Sequence, residues 1–147
     1  MIFIMKKINT ISRCAVAYRN DVLNDKSLSP LYHSYVLIIS KNPGISQDEL
    51  AKELCINKST VARGVASLEE KGFVERKTDD NDKRILRVYP SEKMLEVLPN
   101  IRKAIREWNK YLTDDIDETE VEIFQSVLER ISNKAKLYME SREEGEI

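Results

Sequence analysis

The chain has 147 residues, of which 33% are charged and 41% hydrophobic, and its formal net charge is −1. This length holds one ordinary domain with a real core, and the mixture is that of a soluble, helix-rich protein rather than a membrane or disordered one. Two cysteines, Cys14 and Cys55, and a single histidine, His33, provide neither a disulfide framework nor a metal-ligand spacing, so no metal and no cofactor are expected.

The opening Met1-Ile2-Phe3-Ile4-Met5-Lys6-Lys7 is too short in apolar residues for a signal peptide, and no run approaches a membrane span; a cytoplasmic location and no membrane partner are expected. The charge is unevenly spread. Residues 113–147 carry eleven acidic against four basic side chains, a balance of −7 that leaves +6 for residues 1–112. Attraction to a polyanion acts through local potential within about a Debye length, roughly 8 Å, so the first three quarters of the chain remain suited to nucleic acid.

In chain order, the first element is a helix with apolar residues three and four apart at Ile4, Ile8, Ile11, Ala15, Tyr18 and Val22. Ser29-Pro30 then predicts a helix to about Lys41, with Pro at its first position and Leu31, Tyr35 and Ile38 on one face. Asn42-Pro43-Gly44 ends it. Ser46 and Glu49 form a capping box that opens a short helix from Gln47 to Leu54. Asn57 caps the next, from Lys58 to Lys71, and Gly72 supplies the left-handed residue that stops it.

From Phe73 the pattern becomes a hairpin: Phe73 to Lys77, a polar turn from Thr78 to Asp82, and Arg84 to Tyr89. A second helical seam follows at Met94, Leu98, Ile101, Ile105, Trp108 and Leu112, with Pro99 expected to kink it or to mark where its straight part begins. The third seam runs through Val121, Phe124, Leu128, Ile131, Ala135 and Tyr138, after Asp117 and Glu120 in a variant capping box. Seams this narrow suit helix-on-helix packing and predict a dimerisation unit; an intramolecular three-helix cluster is the alternative. The expected fold is therefore mainly α with a small β wing: a winged helix-turn-helix lobe over about 29–90, with residues 1–24 and 91–142 as dimerisation helices of a single domain.

The chemistry lies on the second of the two short helices. Val61, Val65 and Leu68 form its inward face against Ala51, which places Ser59, Arg63 and Ala66 outward with Lys58, Thr60 and Ala62 flanking. This uncrowded face fits a major groove about 12 Å wide, where Arg63 can address guanine O6 and N7. The N-terminus at Asn57 presents free amide donors to a phosphate. Near the C-terminal end Glu69 and Glu70 would repel the DNA backbone, so the N-terminal half is the half expected to insert. At the hairpin tip Lys83 and Arg84 are the contacting cations, with Asp82 expected to orient Arg84.

These residues resemble the MarR family of bacterial winged-helix repressors. The resemblance rests on Ile45 to Ala51, Lys58 to Arg63, Leu68 to Arg76, and Asp79, Asp82 and Arg84. It implies a homodimer of triangular outline straddling a palindromic operator on double-stranded DNA, with a small-molecule or redox trigger. The DNA-facing set read on this basis is Ser46, Gln47, Asn57, Lys58, Ser59, Thr60, Ala62, Arg63, Arg76, Lys83 and Arg84. The candidate pocket for a small aromatic or other organic effector is Tyr18, Tyr32, His33, Tyr35 and Trp108.

Two departures stand out. The chain reads Tyr89-Pro90-Ser91-Glu92-Lys93-Met94 where Leu-Thr-x-x-Gly is common, so the start of the long helix is expected to differ. Cys55 stands where glycine is frequent, so that turn is expected to be less sharply left-handed. The alternatives are a winged-helix module for protein contact, which would need an apolar exposed face, and a redox sensor using Cys14 or Cys55. Nothing resembles paired catalytic carboxylates, a Ser/His/Asp set or a glycine-rich phosphate loop, so no enzyme is expected.

Overall fold

The computed structural model describes residues 3–145; Met1 and Ile2, at the head of the opening segment read against a signal peptide, lie outside the described residues, as do Glu146 and Ile147. The elements in order are α1 (Ile4–Val22), a 3-10 turn (Pro30–Tyr32), α2 (His33–Lys41), β1 (Ile45–Ser46), α3 (Gln47–Leu54), α4 (Lys58–Glu70), β2 (Val74–Thr78), β3 (Leu86–Pro90), α5 (Glu92–Thr113) and α6 (Glu118–Glu143). One compact unit runs to Trp108 and a second begins at Asn109.

The core of the first unit gathers side chains from every element between α2 and α5. Val36, Ile39, Leu50, Val61, Val65, Leu68, Phe73, Val88 and Met94 are wholly excluded from solvent. Leu98, Ile101 and Ala104 join Met94 on the buried side of α5. The first half of the second seam thus packs in the lobe's own core: a rhythm of threes and fours marks a packing face but does not name what it packs against. Pro99 lies inside α5, which runs unbroken past it.

On α2 the buried residues are His33, Tyr35, Val36 and Ile39, whereas Leu31 is 70% exposed. Of the face expected at Leu31, Tyr35 and Ile38, Tyr35 is buried and Ile38 packs against the core, while Leu31 turns outward because the segment begins as a 3-10 turn, capped by Ser29, whose winding is tighter than that of α2.

The helix ends follow local chemistry. At α3 both halves of the capping box are made, with the Glu49 amide donating to Ser46 Oγ at 3.0 Å and the Ser46 amide to Glu49 Oε2 at 3.1 Å. Asn57 Oδ1 accepts from the Thr60 amide at 2.8 Å to cap α4. Gly72 has φ +81°, and the bonds from its amide to the Glu69 carbonyl and from the Phe73 amide to the Leu68 carbonyl, each 2.9 Å, close a Schellman motif.

Cys55 departs from expectation. Its φ of 53° and ψ of 39° are fully left-handed, with the Ile56 amide bonded to the Ala51 carbonyl at 3.1 Å and the Cys55 amide to the Lys52 carbonyl at 3.2 Å. The six-residue closure of α3 demands that conformation whichever residue is there, so the turn keeps its hand at a cost of about 1 kcal/mol for a non-glycine residue.

The start of α5 is also different in means rather than in outcome. Ser91 Oγ donates to the carbonyls of Gly72 and Phe73 and accepts from the Met94 amide at 3.2 Å, so a serine cap ties α5 to the end of α4. At α6 Asp117 Oδ1 accepts from the Thr119 amide at 3.0 Å, a plain N-cap in place of the expected box.

The sheet has three antiparallel strands in the order β1-β3-β2. Val74 pairs with Pro90 and Thr78 with Leu86 in the hairpin, while Ile45 and Ser46 pair with Val88 and Arg87. Strand β1 was not expected: two residues between a turn and a helix are too short to show alternation.

Helix α6 has no buried residue over its 26 positions. Phe124, Leu128, Ile131 and Tyr138 of the third seam are between 37% and 56% exposed, and Ile123, Val127 and Leu137 widen the same apolar character.

Candidate nucleic-acid interface

Helix α4 is held from beneath by Val61, Val65 and Leu68, and from α2 by Tyr35, whose ring approaches Gly64 so closely that an added Cβ there would stand 3.0 Å from it. Gly64 was absent from the sequence reading. Only the absence of a side chain lets the tyrosine seat the helix, and no local pattern announces that contact.

The opposite face presents exposed Lys58, Ser59 and Arg63, with Thr60, Ala62 and Ala66 half-buried beside them. Lys58 Nζ lies 3.3 Å from Asp48 with both side chains about 70% exposed, a loose pair that a phosphate can displace. Ser59 Oγ donates to Asn57 Oδ1 at 2.9 Å, and Arg63 Nη2 to Thr60 Oγ1 at 3.3 Å, which leaves most of the Arg63 fork free. Ser46 is buried and its hydroxyl is used in the cap of α3, while Gln47 is half-buried at the first turn.

The wing tip is built on carboxylates. Asp79 accepts from the amides of Asn81 and Asp82, each at 3.0 Å, and from Arg87 Nε; Arg87 Nη1 continues to the Gly44 carbonyl at 3.0 Å. Asp79 therefore faces inward and locks the turn. Asp82 receives Arg84 Nε at 3.0 Å and Nη2 at 2.9 Å, a forked pair in which the arginine side chain is 90% exposed and the aspartate 32%. Hydrogen bonds from Arg84 hold the Asp82 carboxyl below the usual carboxylate range, and those from Arg87 do the same for Asp79. Lys83 is exposed beside them.

Arg76 is not free. Its Nε and Nη2 donate to Glu69 Oε1 at 3.2 and 3.0 Å, its backbone amide to Glu69 Oε2 at 2.8 Å, and Nη1 reaches Gln47 Oε1 at 3.5 Å.

Of the residues read as an effector pocket, Tyr18 stacks on Trp108 with ring centroids 5.0 Å apart, and Tyr32 meets Tyr35 edge-on at 5.4 Å. His33 is 3% exposed, an interior residue. Arg19 Nε donates to its Nδ1 at 3.1 Å, so Nε2 carries the ring proton; burial, and then the Arg19 charge, pull its pKa down to about 4. His33 alone of the five lines a cleft of about 380 Å³, formed with Val22, Asp25, Leu28, Asn100 and Lys103 among others. Among the described residues no acidic, cysteine and histidine cluster fits a metal, and no helix is long and apolar enough to cross a membrane. Cys14 and Cys55 are both exposed and unpaired by any disulfide.

The profile of the MarR family matches residues 28–86. Over 128 residues, 87% of this chain and 85% of the relative, the sequence is 28% identical to an uncharacterized HTH-type transcriptional regulator, YybA, of Bacillus subtilis strain 168. Among solved structures, MarR is 30% identical and superposes with a TM-score of 0.78 over 91% of this chain and 98% of its own. A MarR family transcriptional regulator of Listeria monocytogenes, solved with a 26mer DNA, shares the fold at a TM-score of 0.88 and 23% identity, over 99% of this chain and 97% of its own.

Proposed function

The chain belongs to the MarR family of transcriptional regulators, which are not enzymes, and from that premise we propose that it is a cytoplasmic repressor that binds a palindromic operator as a homodimer. The observation that carries this reading is the exposed face of α4. An asparagine-capped N-terminus, two hydroxyls and a mostly free arginine fork stand on a helix whose other face is wholly packed. Such a face offers donors to guanine edges and small groups to thymine methyls while its N-terminal amides meet a phosphate. Wing cations Lys83 and Arg84 extend the contact into the flanking minor groove. Gln47 and the loosely paired Lys58 address the phosphate backbone. The Listeria relative's structure with a 26mer DNA is in keeping with this use of the fold.

The exposed apolar face of α6 supplies what a second copy would cover. Release by a small organic effector is assigned to the cleft that His33 helps to line. A protein-contact role for α4 is disfavoured, because its exposed residues are polar.

Base reading and backbone positioning separate experimentally. Arg63→Ala is expected to lose roughly 1 to 3 kcal/mol on the preferred operator and to relax selectivity at one base pair, whereas Lys58→Ala weakens all duplexes about equally. An unchanged sequence preference in the Arg63 variant removes its assignment to a base edge.

A further inference from the structure

Strand β2 is one of the two edges of the sheet, and the amide of Arg76 points away from β3, where no strand receives it. Glu69, on the last turn of α4, fills that place. Its Oε2 accepts the strand amide while its Oε1 holds two donors of the Arg76 guanidinium, and hydrogen bonding from Arg76 holds the Glu69 carboxyl below its usual range. The remaining guanidinium nitrogen faces Gln47 on α3. A second arginine, Arg87 on β3, makes the parallel connection from Asp79 in the wing turn to the Gly44 carbonyl ahead of β1.

Both half-buried arginines of the wing strands are thus used inside the protein. Gly72 is held by the Schellman motif and Phe73, Val74 and Val88 are buried in the core with Leu68, and to these ties between α4 and the hairpin the Glu69–Arg76 contacts add a polar one at the edge of β2. We propose that Glu69 and Arg76 are positioning residues that fix the wing to the recognition helix, so that the two reach DNA as one rigid unit, and that Arg76 is not itself a phosphate contact. This rests on the DNA-reading function proposed above.

Plain electrostatics and positioning make opposite statements about Glu69. Removing an anion from the DNA-facing side should tighten binding to every duplex; removing a strut should weaken binding only where helix and wing must fit together. The test is a titration of the full chain and its Glu69→Ala, Glu69→Gln and Arg76→Met variants against the preferred operator and an unrelated duplex of equal length, over 50 to 200 mM salt.

The expected result is that Glu69→Ala weakens operator binding about tenfold without weakening binding to the unrelated duplex. Arg76→Met should do the same and leave the slope of log affinity against log salt unchanged. Glu69→Gln, whose amide oxygen still accepts the strand amide, should fall between and keeps the test alive should the alanine variant not fold. Tighter binding of Glu69→Ala or Glu69→Gln to both duplexes overturns the proposal. So does a slope reduced by about one in Arg76→Met with equal losses on both DNAs, because that is the signature of a lost phosphate contact. An unmutated chain that prefers no duplex would instead remove the DNA-reading function, and this proposal with it.

Discussion

The forked pair between Asp82 and Arg84 sets an orientation against a charge. A carboxylate near DNA repels it, yet this one takes two of the arginine's donors and leaves the rest of the guanidinium exposed at the wing tip. Arg84→Ala should weaken operator binding at least tenfold, about 1.4 kcal/mol, with little loss of folding stability, and Arg84→Lys should recover only part because the fork is gone. Asp82→Ala should also weaken binding although it removes a negative charge; tighter binding of that variant on the same operator would show that net charge governs the wing.

His33 is the residue whose titration the fold opposes. Its pKa falls from 6.5 to about 4 on folding, because burial and the neighbouring Arg19 guanidinium both penalise the imidazolium. A base with a depressed folded pKa contributes stability that is complete above pH 6.5 and is lost as pH drops toward 4, while the unfolded chain takes up the proton. The loss should be on the order of 2 kcal/mol, since the cleft brings some solvent to the ring. Thermal melts between pH 7 and 5 test this: the unmutated chain should lose stability across that window and His33→Gln should not. Parallel pH profiles for the two proteins would clear His33 of the effect.

At the scale of the element, α6 is a helix without a core of its own. Its 26 residues expose Phe124, Leu128 and Ile131 along one seam, and an isolated helix gains its stability chiefly from packing an apolar face. A second copy is the occupant proposed for that face. Leu128→Glu should therefore raise the dimer dissociation constant by two orders of magnitude or more, since an unpaired buried carboxylate costs on the order of several kcal/mol. Sedimentation of the two proteins checks it, and a stable folded monomer of the unmutated chain would sink the dimer.

Elements were legible in the sequence where their determinants are local. Ser46 with Glu49, Asn57 with Thr60, and Gly72 each sit within three residues of what they bind, so α3, α4 and the start of the wing could be placed from spacing alone. What stayed hidden joins distant parts of the chain. Arg19 meets His33 across 14 positions, Arg76 meets Gln47 across 29, and Arg87 meets Gly44 across 43. No periodicity encodes such pairs. Arg76 reads as a DNA-facing cation because its charge is visible in sequence, whereas its pairing with Glu69 is visible only in the fold. The buried half of the second seam has the same cause: apolar spacing gives a direction around a helix axis but not the neighbour that lies there.

At the scale of the whole molecule, residues 1–112 carry a basic balance and residues 113–147, which include α6, an acidic one, while the reading helix and wing hold carboxylates as well as cations, so that attraction to DNA there depends on which cations are left free of an internal partner. If each lobe neutralises three or four phosphates, affinity should fall by about 10³ or more between 50 and 200 mM salt. The central claim is that two copies of α4 read related sites together. Selection of bound sequences from a random duplex pool by the unmutated protein, followed by binding to the winning site and to its isolated half, tests that claim most directly. The account predicts an inverted repeat whose half-site centres lie about one helical turn, roughly 10 bp, apart, and a half-site bound far more weakly than the whole. A pool that yields no enriched sequence, or a half-site bound as tightly as the full repeat, would contradict it.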